Sequence, residues 1–391
     1  MKFTLPPDMI TATKLTKEGK LSQATAILLR MCRGEAEPRA TASSPTKKAS
    51  GKAIIDKTRA TDAEVSDEPS TLSAFIAKFQ PHGVTLPAEG LGDTALKSRP
   101  PVATPSGSTF ISATHTGEAG SRNYKLFVPS GYTGQKLPLV VMLHGCTQSP
   151  DDFAAGTGMN ILAEEQKCFV AYPAQSQSAN AGKCWNWFLA ADQQRGKGEP
   201  ALIAGIAQDI MSKYAIDPRR VYVAGLSAGG AAAAVLGETY PEIFAAVGVH
   251  SGLACGAASD LGSAMSVMRS GKAGAPARRS SESLMPTIVF HGDKDQTVHP
   301  KNGDHVINQL LGEGYEKRLR AVSDRGETGG QSFSRTSYFG RGNQSVLELW
   351  VVHGAGHAWS GGNRQGSYAD PRGPDASREM LRFFLSHARP V

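Results

Sequence analysis

The sequence VYVAGLSAGGAAAAVLGET at residues 221–239 decides the fold class. Val221 to Ala224 is a short apolar run typical of a buried strand, and an Ala-rich stretch suited to a helix begins at Ala228. Between them stands the pattern G-x-S-x-G, in which the glycines on either side of Ser227 leave room for a tight strand-to-helix turn. The stretch therefore predicts a strand, a sharp turn that presents a serine, and a helix.

The serine pattern alone is weak support for this turn. A chain with 43 glycines in 391 residues is expected to contain about 0.4 such matches by chance. The surrounding elements strengthen it, because an apolar strand precedes the serine, a helix follows it, and further strands and helices flank both. We therefore expect Ser227 to be a nucleophile at the end of a strand.

Strands and helices are expected to alternate along the chain after about residue 105. Leu137 to Leu143, LPLVVML, is a continuous apolar run, as a strand buried on both faces requires. Strands are expected at residues 109–115, 124–129, 137–143, 168–172, 221–224, 245–249, 287–290 and 346–352, and helices at 159–167, 202–214, 228–239 and 376–387. This alternation predicts an α/β fold with a mostly parallel central sheet and helices on both faces.

Two carboxylates follow the expected strand at residues 287–290, in the segment HGDKDQTVHP. A serine nucleophile needs a general base and an acid that orients the base, and in hydrolases of this architecture the acid precedes the base along the chain. Asp293 lies close to the strand end, where its carboxylate is able to cap the turn. Asp295 lies further into the loop, so we expect Asp295 to be the acid, with Asp293 as the alternative.

Two histidines follow the expected strand at residues 346–352, in the segment HGAGHAW. His353 stands at the strand end, where a histidine is commonly structural. His357 is presented by a loop whose glycines allow a tight reversal of the chain. We expect His357 to be the general base, with His353 as the alternative.

Acyl transfer also requires hydrogen-bond donors for the oxyanion of the tetrahedral intermediate. The N–H of Ala228, directly after the expected nucleophile, is one candidate. The segment His144-Gly145-Cys146 follows the strand at residues 137–143, and its glycine turn suggests the N–H of Cys146 as the second donor. The alternative is that this segment is only a glycine turn at a strand end.

The N-terminal quarter of the chain differs in character from the rest. The apolar spacing in residues 10–33 predicts an amphipathic helix, so residues 1–34 form one expected unit. Residues 35–105 are rich in Ala, Ser, Thr, Pro and charge and are expected to be a flexible linker, followed by the catalytic domain at 106–391. Within that domain, residues 252–285 are rich in small side chains and are either a lid over a pocket or a surface excursion.

The composition argues against several classes of protein. Apolar residues make up 40% and charged residues 20% of the chain, and no apolar stretch approaches the ~18 residues of a membrane span. The net charge of +7 is modest, and more than half of it lies in residues 1–104, so nucleic-acid binding is not expected. The five cysteines show no zinc-binding spacing, and no metal site is expected.

Six motif segments occur in one order within residues 108–388. They are LHGCTQ at 143–148, CWNWF at 184–188, GLSAGG at 225–230, HGDKDQTVHP at 291–300, GAGHAWSGG at 354–362 and GSYADPRGPDAS at 366–377. Together they resemble the polyhydroxyalkanoate (PHB) depolymerase family of esterases, a branch of the α/β-hydrolases related to feruloyl and acetylxylan esterases. The resemblance implies an α/β-hydrolase fold, a triad of Ser227, Asp295 and His357, and an oxyanion hole that includes the Cys146 N–H. It also implies a disulfide between Cys146 and Cys184.

The same resemblance implies a function. It points to a serine esterase that hydrolyses short-chain ester bonds through an acyl-enzyme, without a metal or an organic cofactor. The implied substrate is a poly(3-hydroxybutyrate)-type polyester or its oligomers. The alternatives are a feruloyl or acetylxylan esterase, a peptidase, or a non-catalytic protein that binds polymer granules, although such a scaffold has no need of a complete Ser, Asp and His set.

Location and surface contacts are less directly indicated. The resemblance implies an extracellular protein, whereas the first ten residues, MKFTLPPDMI, lack the apolar core of a secretory signal, so an intracellular location is the alternative. The helix expected at residues 10–33 either docks on its own domain or lies on an apolar surface, for which polymer is the implied partner.

Three of the four tryptophans lie in the motif segments, at positions 185, 187 and 359. Aromatic side chains near catalytic loops are suited to line a cleft for an acyl group or a polymer chain. We expect Trp185 and Trp359 to contact substrate. The alternative is that one or two of these tryptophans pack in the core.

Overall fold

The computed structural model describes residue 102 and residues 104–272, 284–315 and 318–390. All of them belong to the second of the two units into which the chain divides, Asp67–Val391. The helix expected at residues 10–33 lies outside the described part of the chain. The expected linker does too, apart from its last few residues.

A ten-stranded mixed sheet forms the centre of the fold. Its strands are β1 (Thr109–Gly117), β2 (Gly120–Val128), β3 (Leu137–Leu143), β4 (Phe169–Pro173), β5 (Ile216–Leu226), β6 (Ala246–His250), β7 (Thr287–Gly292), β8 (Arg320–Thr328), β9 (Gln331–Phe339) and β10 (Ser345–Val352). Their order across the sheet is β1-β2-β4-β3-β5-β6-β7-β10-β9-β8. The inner strands from β4 to β10 pair in parallel, and an antiparallel pair extends the sheet at each edge.

Helices cover both faces of this sheet. They are α1 (Pro150–Thr157), α2 (Met159–Gln166), α3 (Gly198–Lys213), α4 (Ala228–Thr239), α5 (Leu261–Ser270), α6 (Lys301–Tyr315) and α7 (Ala376–Leu385), with a 3₁₀ helix at Ala190–Gln193 and a small pair of strands, β11 (Trp359–Ser360) and β12 (Ala369–Asp370). Helices α3, α4 and α6 share one apolar core with the sheet, and α1, α2 and α7 share the other. The expected mostly parallel sheet with helices on both faces is confirmed.

The alternation of buried side chains explains why the inner strands are so apolar. All seven residues of β3 are buried, with Leu139 and Val141 in one core and Val140 and Met142 in the other. A strand covered on both faces has no polar side, so its sequence is a continuous apolar run rather than an alternating one.

Several elements were not expected from the sequence, among them α1, α6, β8 and β9. Helix α1 has only eight residues, and its start depends on the Ser149 side chain, which accepts from the N–H of Asp152 at 3.2 Å. Strand β8 is almost wholly exposed and therefore shows neither apolar pattern that predicts a strand.

The parallel strands place the motif loops at one edge of the sheet. The carboxyl ends of parallel strands meet at the same edge, where open α/β sheets bind their ligands. The segments after β3, β5, β7 and β10 contain the expected oxyanion turn, nucleophile, acid and base respectively.

Candidate active site

Ser227 occupies a strained turn between β5 and α4. Its φ and ψ angles are 58° and −119°, a conformation that residues with a side chain rarely adopt. A Cβ on Gly225 would lie 2.3 Å from the carbonyl group of Gly229, and one on Gly229 would lie 2.1 Å from the carbonyl oxygen of Leu143. The N–H of Ser227 donates to the carbonyl of His250 at 2.8 Å, so the turn is held by a hydrogen bond and by close backbone packing.

His357 and Asp295 are joined by a hydrogen bond. Nδ1 of His357 lies 2.7 Å from Oδ2 of Asp295. The other carboxylate oxygen accepts from the N–H groups of Thr297 and Val298, at 2.9 and 2.8 Å. A carboxylate accepts the Nδ1 proton, so this arrangement leaves Nε2 of His357 as the proton acceptor for a reaction in the pocket.

The surroundings of Asp295 favour its ionised form. Burial by itself raises the pKa of this carboxyl, but the charge and hydrogen bonding of His357 and His291 outweigh it and hold the pKa well below its ordinary value. Asp295 is therefore ionised, and its negative charge faces the imidazole of His357.

The two alternative residues, Asp293 and His353, pair with each other instead. Nδ1 of His353 lies 3.0 Å from Oδ2 of Asp293, and Nε2 lies 2.8 Å from Oγ of Ser334. Ser334, His353 and Asp293 are thus joined by hydrogen bonds in the order serine, histidine, aspartate. None of these three residues lines the pocket that holds Ser227 and His357.

Two backbone N–H groups beside Ser227 are available as donors. Cys146 and Ala228 both line the pocket, and among the described residues neither N–H donates to another group. Ala228 is the first residue of α4, where the helix dipole favours negative charge. These donors and this position match the requirements of an oxyanion hole.

A disulfide joins the expected oxyanion turn to the tryptophan-containing segment. It links Cys146 and Cys184, which are 38 residues apart in sequence, so the expected pairing is confirmed. Nε1 of Trp185 donates to the carbonyl of His144 at 3.0 Å, which adds a second connection between the same two segments.

The pocket around Ser227 is lined mainly by apolar side chains. They are Cys184, Trp187, Phe188, Leu226, Leu253, Leu261, Ala264, Met265 and Met268, with Thr297, His357 and Tyr368 among the more polar ones. Four of these residues belong to α5, which lies in the segment expected to be a lid or a surface excursion. Residues 273–283 of that segment lie outside the described part of the chain.

Hydrogen bonds hold α5 beside the pocket. Its first turn has a capping box between Asp260 and Ser263. At its other end, Asn302 Nδ2 donates to the carbonyl of Val267 at 3.1 Å, and Nε2 of His305 lies 2.6 Å from the carbonyl oxygen of Gly271. Helix α5 is therefore a fixed wall of the pocket in this structure.

The structure does not bring Trp185 and Trp359 to the pocket. Trp185 is fully buried beneath the oxyanion turn, and Trp359 packs against His250 and donates from Nε1 to Ser377 Oγ at 3.0 Å. Trp187 lines the pocket instead. The spacing of the aromatic cluster does not reveal which of its side chains turn outward, because that depends on the loop backbone.

Two buried histidines near the site were not recognised from the sequence. Burial lowers the pKa of His250 to about 3 and that of His144 to about 4. His250 Nε2 accepts from the N–H of Ser360 at 3.0 Å, and His144 Nε2 accepts from the N–H of Gln175 at 3.1 Å. Both rings are therefore neutral structural groups, and the only sequence signal was their position directly at or after a strand end.

The described residues contain neither a metal-binding cluster nor a membrane-spanning helix. That part of the chain has no group of three or more His, Cys, Asp or Glu side chains suited to hold a metal ion. No helix among the same residues combines the length and apolarity needed to cross a bilayer.

More than half of the chain matches the sequence model of one protein family. The sequence model described as "Esterase PHB depolymerase" matches residues 122–328, which is more than half of the chain. The chain belongs to this family. The matched region includes Ser227, both proposed oxyanion donors and Asp295, whereas His357 lies beyond its end.

Individual relatives agree with this family assignment. Poly(3-hydroxyalkanoate) depolymerase C of Paucimonas lemoignei is 32% identical over 281 residues, which are 68% of this chain and 66% of that protein. The chain thus matches just under two thirds of that relative's length. The probable acetylxylan esterase A of Aspergillus clavatus is 25% identical, over 67% of this chain and 89% of that protein.

A solved structure supports the fold. The acetyl xylan esterase from Aspergillus awamori aligns with a TM-score of 0.55 and 21% identity, over 71% of this chain and 99% of that one. At this level of identity the likeness establishes the architecture alone. The α/β-hydrolase fold implied by the six motif segments is confirmed.

Proposed function

We propose that this family member is a serine esterase. One observation carries the proposal: Ser227, His357 and the residues Cys146 and Ala228 with their N–H donors line a single pocket, with ionised Asp295 bonded behind the histidine. Acyl transfer needs a nucleophile, a base, an orienting acid and oxyanion donors together; the pocket holds the nucleophile, the base and the donors, and the acid is bonded to the base behind it.

The proposed reaction has two acyl-transfer steps. Oγ of Ser227 attacks the ester carbonyl while Nε2 of His357 takes its proton, and the resulting oxyanion is stabilised by the two N–H donors. The intermediate collapses as His357 returns the proton to the leaving alcohol oxygen, which leaves an acyl-serine. Water activated by His357 then attacks the acyl carbonyl and releases the acid. Asp295 keeps the imidazole in the required tautomer and stabilises the imidazolium.

We propose a short-chain polyester of the poly(3-hydroxybutyrate) type, or its oligomers, as the substrate. The family and the depolymerase name of the Paucimonas relative support this choice, as does the apolar lining of the pocket, which suits an aliphatic acyl group. A feruloyl or acetylxylan esterase is the second candidate. It is supported by the Aspergillus clavatus relative, which is matched over 89% of its length.

We also propose that the protein works in an oxidising, extracellular environment. The Cys146–Cys184 disulfide supports this proposal, because structural disulfides persist mainly outside the reducing cytosol. Contact between residues 10–33 and the polymer remains a proposal as well. Deletion of residues 1–104 should weaken adsorption to polymer particles while hydrolysis of a soluble ester is retained, and unchanged adsorption would remove this role.

The experiment that tests the function is a substrate panel with matched serine variants. Wild-type protein, Ser227→Ala and Ser334→Ala are assayed on p-nitrophenyl butyrate, suspended poly(3-hydroxybutyrate), methyl ferulate and acetylated xylan. We expect Ser227→Ala to lose at least about 10³-fold in kcat and Ser334→Ala to stay within about threefold of wild type.

Three other outcomes of the panel would contradict the proposal or favour an alternative. Undiminished turnover by Ser227→Ala would overturn the proposed nucleophile. Faster release of ferulate or acetate than of hydroxybutyrate would favour the second candidate. Adsorption to polymer without hydrolysis of any ester would identify a non-catalytic binding protein.

A further inference from the structure

Glu199 is a buried carboxylate that the proposed reaction does not use. It lies in the first turn of α3, and the residue is only 6% exposed. Its oxygens accept from the backbone N–H of Asn186 at 2.6 Å, from Nδ2 of Asn186 at 2.8 Å, and from Nε2 of Gln175. All three partners are donors, and the acceptor-only ionised carboxylate is the form of Glu199 that matches them best.

These bonds connect Glu199 to the segment at residues 175–186, which contains the disulfide cysteine Cys184. Asn186 belongs to the aromatic cluster whose Trp187 and Phe188 line the pocket. Gln175 Nε2 also donates to the carbonyl of Cys184, at 2.8 Å. One carboxylate therefore bonds to both ends of the segment at residues 175–186, which contributes Cys184 to the pocket lining and leads directly into Trp187 and Phe188.

The same segment is bonded to residues 144–146 of the oxyanion turn at three points. The Cys146–Cys184 disulfide is the first, and the bond from Trp185 Nε1 to the carbonyl of His144 is the second. The third runs from the backbone N–H of Gln175 to Nε2 of His144. A displacement of the segment is thus transmitted to the backbone that presents the Cys146 N–H.

We infer that Glu199 is a positioning residue for the oxyanion hole, whose carboxylate holds the loop around residues 175–186 and, through it, the Cys146 N–H in place. The inference rests on the proposed esterase function. It assigns to Glu199 no contact with substrate. Removal of its charge should weaken stabilisation of the transition state and leave substrate binding largely unchanged, because the oxyanion forms only during the reaction.

The electrostatic surroundings of Glu199 make this role sensitive to pH. Burial raises its pKa to about 7, against the hydrogen bonds from Gln175 and Asn186, which lower it. The charged groups that face it are Arg122 on β2 and Asp192 in the 3₁₀ helix. Protonation of Glu199 turns one of its two acceptor oxygens into an O–H donor, although all three partners are donors. Glutamine at this position likewise replaces one oxygen by a donor, so the protonated wild type resembles the Glu199→Gln variant.

The first test compares Glu199→Gln with Asp304→Asn, which removes an exposed carboxylate from the first turn of α6. On p-nitrophenyl butyrate at about pH 8, we expect Glu199→Gln to lose at least about tenfold in kcat with KM within about threefold, and Asp304→Asn to match wild type. The ratio of wild-type to Glu199→Gln kcat should shrink between about pH 8 and about pH 5.5.

A kcat within about twofold of wild type, or a deficit that is the same at every pH, would overturn the inference. If Glu199→Gln does not fold, the variant Asn186→Ala tests the inference in its place, because it removes only one of the three donors to Glu199. We expect it to lose at least about threefold in kcat at unchanged KM, and wild-type kcat would reject the role. Wild-type protein that hydrolyses no ester would reject the proposed function itself, which separates the two failures.

Discussion

His357 Nδ1 lies 2.7 Å from Asp295 Oδ2, and this pair is far more buried than the similar pair beside it. The side chains of Asp295 and His357 are 0% and 11% exposed, against 33% and 39% for Asp293 and His353. Charge interactions are stronger where water is excluded. Both pairs join Nδ1 of a histidine to Oδ2 of an aspartate within hydrogen-bond distance, so burial and the adjoining pocket distinguish the proposed catalytic pair from a structural one.

Replacement of the two aspartates should separate these roles. We expect Asp295→Asn to lower kcat on p-nitrophenyl butyrate by about 10³- to 10⁴-fold, because an amide no longer fixes the tautomer of His357 or stabilises its charge. Asp293→Asn serves as the control and should stay within about threefold of wild type. The reverse ranking of the two variants would transfer the acid role to Asp293.

Glycine at position 225 should be indispensable for the strained turn. An alanine Cβ there would lie 2.3 Å from the Gly229 carbonyl group and 2.7 Å from the Leu143 oxygen, and all of these are backbone atoms. We expect Gly225→Ala to cost several kcal/mol of stability and to abolish activity. A Cβ added at Gly340 would meet no heavy atom within 4 Å, so Gly340→Ala is the control. Urea denaturation of both variants checks this, and equal stabilities would contradict it.

The disulfide should contribute measurably to stability. It closes a segment of 38 residues, for which loop-closure entropy predicts about 4 kcal/mol. The double variant Cys146→Ala/Cys184→Ala should therefore unfold at a lower urea concentration than wild type. Reductant should destabilise wild type but not the double variant. A reductant effect of the same size in both proteins would show that the disulfide is not its target.

Met268 should limit the length of acyl chain that the pocket accepts. The side chain lines the pocket from α5, and truncation to alanine opens space at that wall. Because one buried methylene contributes about 0.8 kcal/mol, which is about fourfold, we expect the ratio of kcat/KM for octanoate over butyrate p-nitrophenyl esters to rise at least about fourfold. Ser266→Ala, on the exposed face of the same helix, is the control. An unchanged ratio in Met268→Ala would place the acyl group elsewhere.

Glu199 should make the free energy of unfolding depend on pH. Its pKa is about 7 in the folded chain against an ordinary value of 4.5, so between these pH values the folded state holds a proton that the unfolded chain has lost. The free energy of unfolding therefore falls as pH rises through this range, by about 3 kcal/mol from this group.

This contribution can be isolated by subtraction. The unfolding free energy of wild type minus that of Glu199→Gln should decrease by about that amount between about pH 4 and about pH 8, since all other groups titrate in both proteins. The same difference taken with Asp304→Asn should not decrease in this way. A flat difference for Glu199→Gln would show that the carboxyl titrates normally.

Much of the fold could be predicted because local patterns determine it. The continuous apolar run at Leu137–Leu143 is the complete strand β3, and the G-x-S-x-G stretch gives the strand, turn and helix around Ser227. Helix α1 and strand β8 could not be predicted, also for local reasons. The helix is very short, and the strand is an exposed edge strand.

The sequence by itself determined the order of strand, serine, acid and histidine loops, because hydrophobic periodicity and glycine spacing act over neighbouring residues. Only the tertiary structure decided which aspartate pairs with which histidine, and that Trp187 rather than Trp185 or Trp359 lines the pocket. It also brought Glu199 to the segment behind the oxyanion turn. Such contacts join residues far apart in the chain, and they depend on burial and on loop backbone directions that no local spacing specifies.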